Sequence, residues 1–450
     1  MPYYVFFDEV GADSVNSTIL GTSSPPPLPA FEHQDQIFSA AFSILNDAIA
    51  ARAFPAASTA ITHQGRLIAL KAFGSLTYKS SSQKLISDAP PFSRSLREEP
   101  ALSERSESKG GDVEVIPTTL FDIASLTKVV ATTTMAMILY QRGLLDLEVS
   151  VAAVVPEFVS GSPETKRDSR RQEVTFRMLL AHSSGLPAYE KLYLQVRSRD
   201  ELLHAAYTTP LTAGPGSRAE YSDIGFILLG AALERIAGES LDIFCQREIF
   251  GPLGMISTTF NPTPDLRPHI PPTADEREQE WDAGAPAREM RQAFGTSGAS
   301  QPSTFRGRII QGEVQDENAS VLGGVAAHAG LFSAAEDLAR FAQAMLNGGR
   351  PILRPETVAL FTRRGSAPAG TSRSLGWDTP SAPSQSGKYF APVSFGHLGY
   401  TGISLWIDPT RQLSITLLTN RTWPDCSNKA IKQVRPRFHD AVIEALQNSA

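Results

Sequence analysis

The chain has 450 residues, of which 42% are hydrophobic and 20% are charged. This composition is typical of a soluble globular protein with a large apolar core, and the length allows two or three domains. The 47 acidic and 41 basic residues give a net charge of −6, and no long basic run occurs. We therefore expect nucleic acid not to be a partner.

Cysteine and histidine usage argues against a metal centre. Cys245 and Cys426 fit no zinc spacing, no HExxH sequence occurs, and the eight histidines are scattered. We therefore expect neither a metal nor a cofactor. A disulfide between the two cysteines remains open at this point, because it requires Cα atoms within about 7 Å of each other.

The start of the chain bears on the cellular compartment. No apolar run reaches the ~18 residues that suggest a membrane span. The first residues, MPYYVFFDEVGADS, are acidic after a short aromatic patch and lack the basic start of a signal peptide. The sequence thus predicts a soluble, cytoplasmic protein, or a periplasmic or secreted one if a signal has been removed from this version of the chain.

The N-terminal part of the chain alternates between tail, helix and strands. Residues 1–30 end in a proline run and are predicted to form a tail. Apolar periodicity predicts a helix at 35–51, then strands at 57–62 and 67–72. Residues 79–112 are rich in Ser, Arg and Glu, which predicts a surface insertion.

The stretch FDIASLTKVV, residues 121–130, places Ser125 three positions before Lys128. Apolar residues then recur at helical spacing as far as Gln141, so we expect Ser125 in the first turn of a buried helix. Lys128 would lie one turn later on the same face, within reach of the serine oxygen. The helix N-terminus would favour a developing oxyanion. This layout suits a nucleophile, although a serine N-cap followed by a surface lysine is the alternative for the tetrad alone.

The rest of the chain first favours helices and then strands. Helices are predicted at 174–180, 200–207, 224–236, 337–346 and 432–446, with a capping box at Ser333–Glu336, and strands at 394–397, 401–407 and 413–419; residues 262–308 form a long polar excursion. Strands at both chain ends predict an α/β fold of the α+β type, in which one antiparallel sheet is flanked by helices and a mainly helical domain is inserted. We expect residues 31–124 and 331–450 to form the sheet domain and 125–330 the helical domain.

Three separated sequence elements resemble one known superfamily. They are Ser125-x-x-Lys128, Tyr221-Ser222-Asp223, and His397-Leu398-Gly399 at the start of a strand. Together with the phrases LLAHSSGLP, YSDIGFILLG and IFGPLGM, they resemble the serine β-lactamase and penicillin-binding-protein superfamily. The similarity covers most of residues 35–446 and is greatest to the class C-like serine hydrolases, DD-peptidases and esterases. It implies a β-lactamase/DD-peptidase-like fold.

The resemblance also implies roles for particular residues. Ser125 would be the acyl-accepting nucleophile, and either Lys128 or Tyr221 would take its proton. His397 would stand in the third catalytic element. The backbone N–H groups of Ser125 and Tyr400 would form the oxyanion hole, and Gly399 and Asp223 would contribute to substrate binding.

Three departures from the family pattern limit the prediction of substrate. Asp223 stands where many relatives have asparagine, and its carboxylate favours a protonated Lys128. His397 replaces a lysine, so permanent positive charge for a substrate carboxylate is lost. Leu398 replaces a threonine that would help to bind that carboxylate. We therefore expect β-lactams to be turned over slowly at best.

Four further residues have both a functional and a structural interpretation. They are His182 at the end of a helix, Asp316 in VQDENA where Gln315 replaces the usual histidine, His328 among small residues, and Arg421 after a strand. For His182 a structural cap is favoured, and for Arg421 an exposed strand-end position. The polar run around Asp316 is interpreted as cleft-facing or as a solvated loop. His328 is interpreted as lining the pocket or as a structural histidine with its hydrogen bonds satisfied.

The sequence thus predicts a serine hydrolase that forms an acyl-enzyme on Ser125. Its substrate would be an ester or a peptide-like amide, such as a D-Ala-D-Ala cell-wall peptide or a small ester. No GxSxG occurs, which argues against an α/β-hydrolase. The alternative is a penicillin- or peptide-binding receptor or scaffold of the same fold that does not hydrolyse its ligand. The sequence indicates no oligomeric state.

Overall fold

A computed structural model of the chain describes residues 33–78, 113–277, 306–365, 367–424 and 426–448. The predicted N-terminal tail and the predicted insertion at 79–112 lie outside the described residues, as does the middle of the excursion, 278–305. Within the described part, no helix is long and apolar enough to cross a membrane.

The strands occupy both ends of the chain and a few short positions between them. They are β1 (Ala56–His63), β2 (Arg66–Gly74), β3 (Phe121–Asp122), β4 (Thr259–Phe260), β5 (Ala274–Asp275), β6 (Ile309–Ile310), β7 (Leu331–Ser333), β8 (Phe395–Leu398), β9 (Ser404–Asp408) and β10 (Leu413–Thr419). The main sheet has the order β2-β1-β10-β9-β8, and all its pairs are antiparallel. This confirms the predicted sheet made from both chain ends.

The α-helices fall mainly between the two groups of strands. They are α1 (Gln34–Ile37), α2 (Ser39–Ala50), α3 (Thr134–Gln141), α4 (Glu157–Ser160), α5 (Pro163–Arg167), α6 (Phe176–Leu180), α7 (Arg199–Thr208), α8 (Asp223–Ala237), α9 (Leu241–Cys245), α10 (Gly251–Leu253), α11 (Glu317–Val321), α12 (Ala335–Leu346), α13 (Pro355–Thr362) and α14 (Ile431–Asn448). The predicted helix at 35–51 is present but is interrupted at Phe38, where α1 ends and α2 begins. The predicted domain boundaries stay a prediction.

Both faces of the main sheet are buried because successive strand residues point to opposite faces. Leu413, Ile415 and Leu417 of β10 pack in one apolar cluster with α2 and α14. Leu418 belongs instead to the larger cluster on the other face, which includes Leu338 and Phe341 of α12. The sheet therefore forms the middle layer of a three-layer arrangement.

A small sheet with the order β3-β7-β4 connects the chain to the predicted nucleophile. Phe121 of β3 pairs with Ser333 of β7, so residue 122 leads from a fixed strand into the helical segment that follows. The predicted capping box is wrong: the Ser333 hydroxyl hydrogen-bonds to that of Thr258, and Ala334 precedes α12 without a side-chain cap. Pairing of β7 with β3 and β4 takes the place of the local cap.

Candidate active site

Ser125 lies in a 3₁₀ turn, Ala124–Leu126, and a wider helical turn at Lys128–Thr133 leads on into α3. Ala124 has a φ of 46°, which is uncommon for a residue other than glycine. The Asp122 carboxylate accepts a 2.8 Å hydrogen bond from the Ala124 N–H and thereby holds this turn. Ser125 therefore begins a helical run, as predicted, in a conformation that its neighbours maintain.

Lys128 is completely buried, and its ammonium group has three oxygen partners. Its Nζ lies 3.3 Å from Ser125 Oγ and donates to the His328 carbonyl oxygen at 2.8 Å. It also lies 2.6 Å from Asp223 Oδ1. The contacts with Ser125 and His328 are hydrogen bonds, and the contact with Asp223 is an ion pair. The interpretation of Lys128 as a surface lysine is therefore wrong.

Tyr221 comes immediately before the Ser222 cap of α8 and lies over the Lys128 side chain. The Lys128 Nζ is 4.9 Å from the centre of the Tyr221 ring, so the charge of Lys128 acts directly on this phenol. Cap formation by Ser222 fixes the start of α8 and, with it, the positions of Tyr221 and Asp223 on either side. The structure thus brings Ser125, Lys128, Tyr221 and Asp223 together.

Electrostatics set the resting protonation state of this cluster. Burial alone would lower the pKa of Lys128, but Asp223 and Tyr221 together raise that pKa above its ordinary value. Burial raises the pKa of Tyr221, although Lys128 opposes the shift. At neutral pH the resting cluster therefore holds a lysine ammonium and a neutral phenol. Either base becomes available only after a proton leaves this pair.

His397 lies on β8 beside Tyr221, with ring centres 5.9 Å apart. Its Nδ1 donates to the Leu398 carbonyl oxygen at 2.8 Å, which leaves Nε2 as the unprotonated ring nitrogen. Burial, together with the charges of Lys128 and Arg373, holds the pKa of His397 well below its ordinary value. His397 is therefore a neutral hydrogen-bond acceptor, which agrees with the predicted loss of positive charge at this position.

The loop after β8 is tied to the strand that leads to Ser125. A Cβ atom on Gly399 would lie 2.8 Å from the Ile123 carbonyl oxygen, so only glycine fits this approach. Thr401 Oγ1 donates to the Asp122 carbonyl oxygen at 2.8 Å. Tyr400, between these two anchors, lies at the edge of the cavity that contains Ser125.

Ser125 lies between two cavities, of about 380 and 460 Å³, and both are also lined by Tyr221 and Tyr400. The first, which we call the basic cavity, is lined by the cations Arg373, Arg421, Lys429, Lys432 and Arg435 and by the single carboxylate of Asp378. The second, which we call the acidic cavity, is lined by Asp223, Asp316 and Glu317, by Tyr189 and Tyr193, and by Lys191. Ser125 therefore has a mainly positively charged cavity on one side and a mainly negatively charged cavity on the other.

The four residues that have two interpretations in the sequence, His182, Asp316, His328 and Arg421, all lie near Ser125 or contact residues that line its cavities. His182 is buried, accepts a 3.0 Å hydrogen bond from the Ser222 N–H, and lies with its ring against Tyr221, so it positions the tyrosine loop. His328 Nε2 lies 2.8 Å from Asp316 Oδ1, and both residues line the acidic cavity. The expectation that Arg421 is exposed is wrong: it is 7% exposed and donates to the Tyr400 carbonyl oxygen at 2.8 Å.

Several residues at the site were missed by sequence reasoning, namely Asp122, Tyr189, Glu317, Arg373 and Arg435. None of them belongs to the three sequence elements, and a lone arginine or glutamate carries no periodic signal. Glu317 stands in the VQDENA phrase, whose polar character was the one available indication.

The cysteines are both free, with Cys245 buried and Cys426 exposed. Cys426 lies at the edge of the acidic cavity, while Cys245 belongs to the large apolar cluster. Within the described residues, no group of three or more His, Cys, Asp or Glu side chains is arranged to hold a metal ion.

Comparison with known proteins identifies the family. A model of the beta-lactamase family matches residues 42–435. An N-acetylmuramyl-L-alanine amidase of Bacillus subtilis is 32% identical over 320 residues, which cover 67% of this chain and 68% of that protein. A putative D-alanyl-D-alanine carboxypeptidase of Escherichia coli is 31% identical over 320 residues, or 67% and 69% of the two chains. The chain belongs to the beta-lactamase family.

Solved structures show the same fold for this family member. EstCE1, described as a hydrolase with promiscuous acyltransferase activity, aligns with a TM-score of 0.64 and 21% identity over 91% of this chain and 99% of its own. A class C beta-lactamase aligns with a TM-score of 0.60 and 16% identity over 90% and 96%. The predicted β-lactamase/DD-peptidase-like fold is thereby confirmed, and the protein is a serine hydrolase of the beta-lactamase family.

Proposed function

We propose that Ser125 is the nucleophile of this hydrolase and that its preferred substrate is a peptide-like amide or ester with a carboxylate on the leaving group. A peptide ending in D-Ala-D-Ala has this chemistry. The observation that carries the proposal is the position of Ser125. Its hydroxyl contacts Lys128, and it lines the basic cavity together with Tyr221. The names of the amidase and carboxypeptidase relatives support an amide substrate.

The reaction begins when Ser125 Oγ attacks the substrate carbonyl carbon. The serine proton passes to the Lys128–Tyr221 pair, which must first have lost one proton, since both groups are protonated at rest. The backbone N–H groups of Ser125 and Tyr400 would stabilise the oxyanion, and each such donor contributes about 3 kcal/mol in comparable enzymes. Collapse of the intermediate breaks the bond to the leaving group, which takes up the proton. Water then hydrolyses the acyl-enzyme.

The basic cavity supplies the positive charge that His397 does not. Arg435 is 6% exposed, and its guanidinium contacts the carbonyl oxygens of Gly399 and Gly402 and the Gln385 amide oxygen. Among the described residues those partners are all neutral, so its charge is not cancelled locally. Arg373 has an anionic partner, Asp378 Oδ2, but at a distance of 3.8 Å. A leaving-group carboxylate would restore the charge balance.

Two linked assays test this proposal. Wild type and Ser125→Ala are compared on a neutral p-nitrophenyl ester. Release of D-alanine is followed from an acyl-D-Ala-D-Ala peptide, and release of D-alaninamide is followed from the same peptide with an amidated C-terminus. We expect Ser125→Ala to abolish turnover of both substrate types. We also expect amidation to lower kcat/KM at least tenfold.

A third measurement distinguishes the proposed hydrolase from the alternative, a receptor that does not hydrolyse its ligand. Intact-mass analysis after exposure to a fluorescent penicillin reports whether Ser125 becomes acylated. A stable adduct without ester or peptide turnover would favour the non-hydrolysing receptor. Ester turnover that survives in Ser125→Ala would overturn the assignment of the nucleophile, and equal rates for the acid and the amide would overturn the substrate class.

A further inference from the structure

The acidic cavity is the second compartment that a substrate must enter. Because Ser125 lines both cavities, a substrate bound across it places the two sides of its scissile bond in different cavities. The proposed function assigns the leaving-group carboxylate to the basic cavity. The acyl group then occupies the acidic cavity, whose volume of about 460 Å³ accommodates several side-chain-sized groups.

Two of the three carboxylates in the acidic cavity already have a partner within the chain. Asp223 pairs with Lys128 at 2.6 Å, and Asp316 pairs with His328 at 2.8 Å. Asp316 also caps α11 by accepting from the Ala319 N–H at 2.7 Å. These two carboxylates are therefore engaged before any ligand enters.

Glu317 differs from these two carboxylates. The Tyr189 hydroxyl donates to Glu317 Oε2 at 3.3 Å, and no cation lies within ion-pair distance of this carboxylate among the described residues. Arg306, the guanidinium that acts on it electrostatically, is itself paired with Glu276. Burial raises the pKa of Glu317, which indicates that its negative charge is poorly solvated. A partly buried carboxylate without a cation is stabilised when a cation arrives.

The surrounding side chains are also suited to a cation. Burial and the negative charges of Asp316 and Glu317 raise the pKa of Tyr189, and the Tyr193 pKa is raised by burial and by Glu317. Both phenols remain neutral and offer aromatic faces and hydroxyl oxygens to an ammonium group. The buried His328 Nδ1, in the same cavity, has no hydrogen-bond partner in the described part of the chain. Lys191 is exposed at the edge of this cavity, and its positive charge opposes the binding of a cation.

We infer that the acidic cavity binds an ammonium group carried by the acyl part of the substrate, with Glu317 as its principal partner and Tyr189 and Tyr193 beside it. The inference rests on the proposed function, which fixes the direction of the substrate. The substrate class is thereby narrowed to peptides that carry a side-chain amine on the acyl side and a free carboxylate on the leaving side. The cleft then recognises a positive charge on the acyl side of the scissile bond and a negative charge on the leaving side.

The test compares two peptides that differ in one charge. Nα-acetyl-Lys-D-Ala-D-Ala carries a side-chain ammonium, and its Nα,Nε-diacetyl form does not. We expect the wild type to prefer the amine by about tenfold in kcat/KM, which corresponds to ~1.4 kcal/mol. Glu317→Gln is expected to reduce that preference to twofold or less. The matched control is Glu190→Gln, since Glu190 is exposed, is not among the lining residues, and is expected to keep the tenfold preference.

Binding to Ser125→Ala separates the two proposals. Calorimetric titration of this variant with both peptides gives a ratio of Kd values that does not depend on turnover. Peptides that bind with the expected preference but are not cleaved by the wild type would contradict the proposed function alone. Equal Kd values for the two peptides, or a preference that persists in Glu317→Gln, would overturn the ammonium site.

Discussion

At the scale of single residues, the chemistry depends on how Asp223 alters Lys128. An isolated buried lysine becomes a base at neutral pH because burial disfavours its charged form. Here the Asp223 carboxylate lies 2.6 Å from Nζ and reverses that tendency. The same carboxylate also contributes to raising the pKa of Tyr221. Asp223 therefore makes both candidate bases more difficult to deprotonate.

Replacing Asp223 with Asn tests this effect. The change removes a negative charge from beside both groups, so the pKa values of Lys128 and Tyr221 should both fall. The rising limb of kcat/KM against pH should then move to lower pH by about one unit or more, whichever residue is the base. The profile is measured with a neutral p-nitrophenyl ester, which has no charge of its own to titrate.

Asp200→Asn is the matched control for this pH profile. Asp200 lies exposed near the start of α7, and its replacement should leave the profile unchanged. A profile that does not move in Asp223→Asn would mean that neither Lys128 nor Tyr221 controls the rate-limiting proton transfer.

At the scale of elements, the final helix is attached to the sheet through a buried histidine. His439 of α14 is completely buried, with Nδ1 donating to the Ser386 carbonyl oxygen at 3.1 Å and Nε2 3.0 Å from Ser404 Oγ. Burial lowers the pKa of His439 to about 3. The neighbouring Arg435 of the basic cavity lies one helical turn earlier, so the same attachment positions the site.

Acid should therefore weaken this attachment. The folded pKa of His439 lies below the ordinary value, so the unfolded chain binds a proton that the folded chain rejects, and stability falls as the pH drops from about 6.5 towards 3. Between pH 7 and pH 4.5 this group should cost about 2 to 3 kcal/mol of the free energy of unfolding. His439→Gln keeps one donor and one acceptor but does not titrate.

Urea unfolding at both pH values measures this difference. The variant should lose less stability than the wild type by about the same 2 to 3 kcal/mol. His204→Gln, at an exposed position on α7, should behave like the wild type. An identical loss in wild type and His439→Gln would refute the assignment.

At the scale of the whole molecule, local and overall charge have opposite signs at the basic cavity. The chain carries a net charge of −6, whereas this cavity presents five cations and one carboxylate. The overall field therefore does not attract a carboxylate substrate, and attraction must come from the cavity itself. Lys432 is exposed and Arg435 is buried, so salt should screen part of this attraction and leave part of it intact.

Salt should therefore affect substrates according to their charge. Screening lengths shorten from about 10 Å at 0.1 M to about 3 Å at 1 M ionic strength. Raising the salt concentration across this range should increase KM for an acyl-D-Ala-D-Ala peptide severalfold. The C-terminal amide and a neutral ester serve as controls and should change less than twofold. A KM that does not depend on salt for the acid would count against carboxylate recognition by this cavity.

The sequence by itself determined the local parts of the fold and of the site. The apolar periods of β1, β2, β10, α8 and α14 predicted those elements because each buries a continuous face, which composition and spacing report directly. The Ser125–Lys128 spacing, followed by a helical apolar pattern, likewise predicted a serine beside a lysine. Local geometry is sufficient for such pairs, since three residues span one helical turn.

Only the tertiary structure decided the electrostatics of the cleft. The contacts of Lys128 with Asp223 and His328 join positions far apart in the chain, and no periodic pattern links them. The same holds for Arg373 and Arg435 in the basic cavity and for Glu317 in the acidic one. A charged residue in a sequence looks the same whether it is solvated or buried. Packing alone determines which charges meet, which remain without a partner, and therefore which substrate charges the cleft selects.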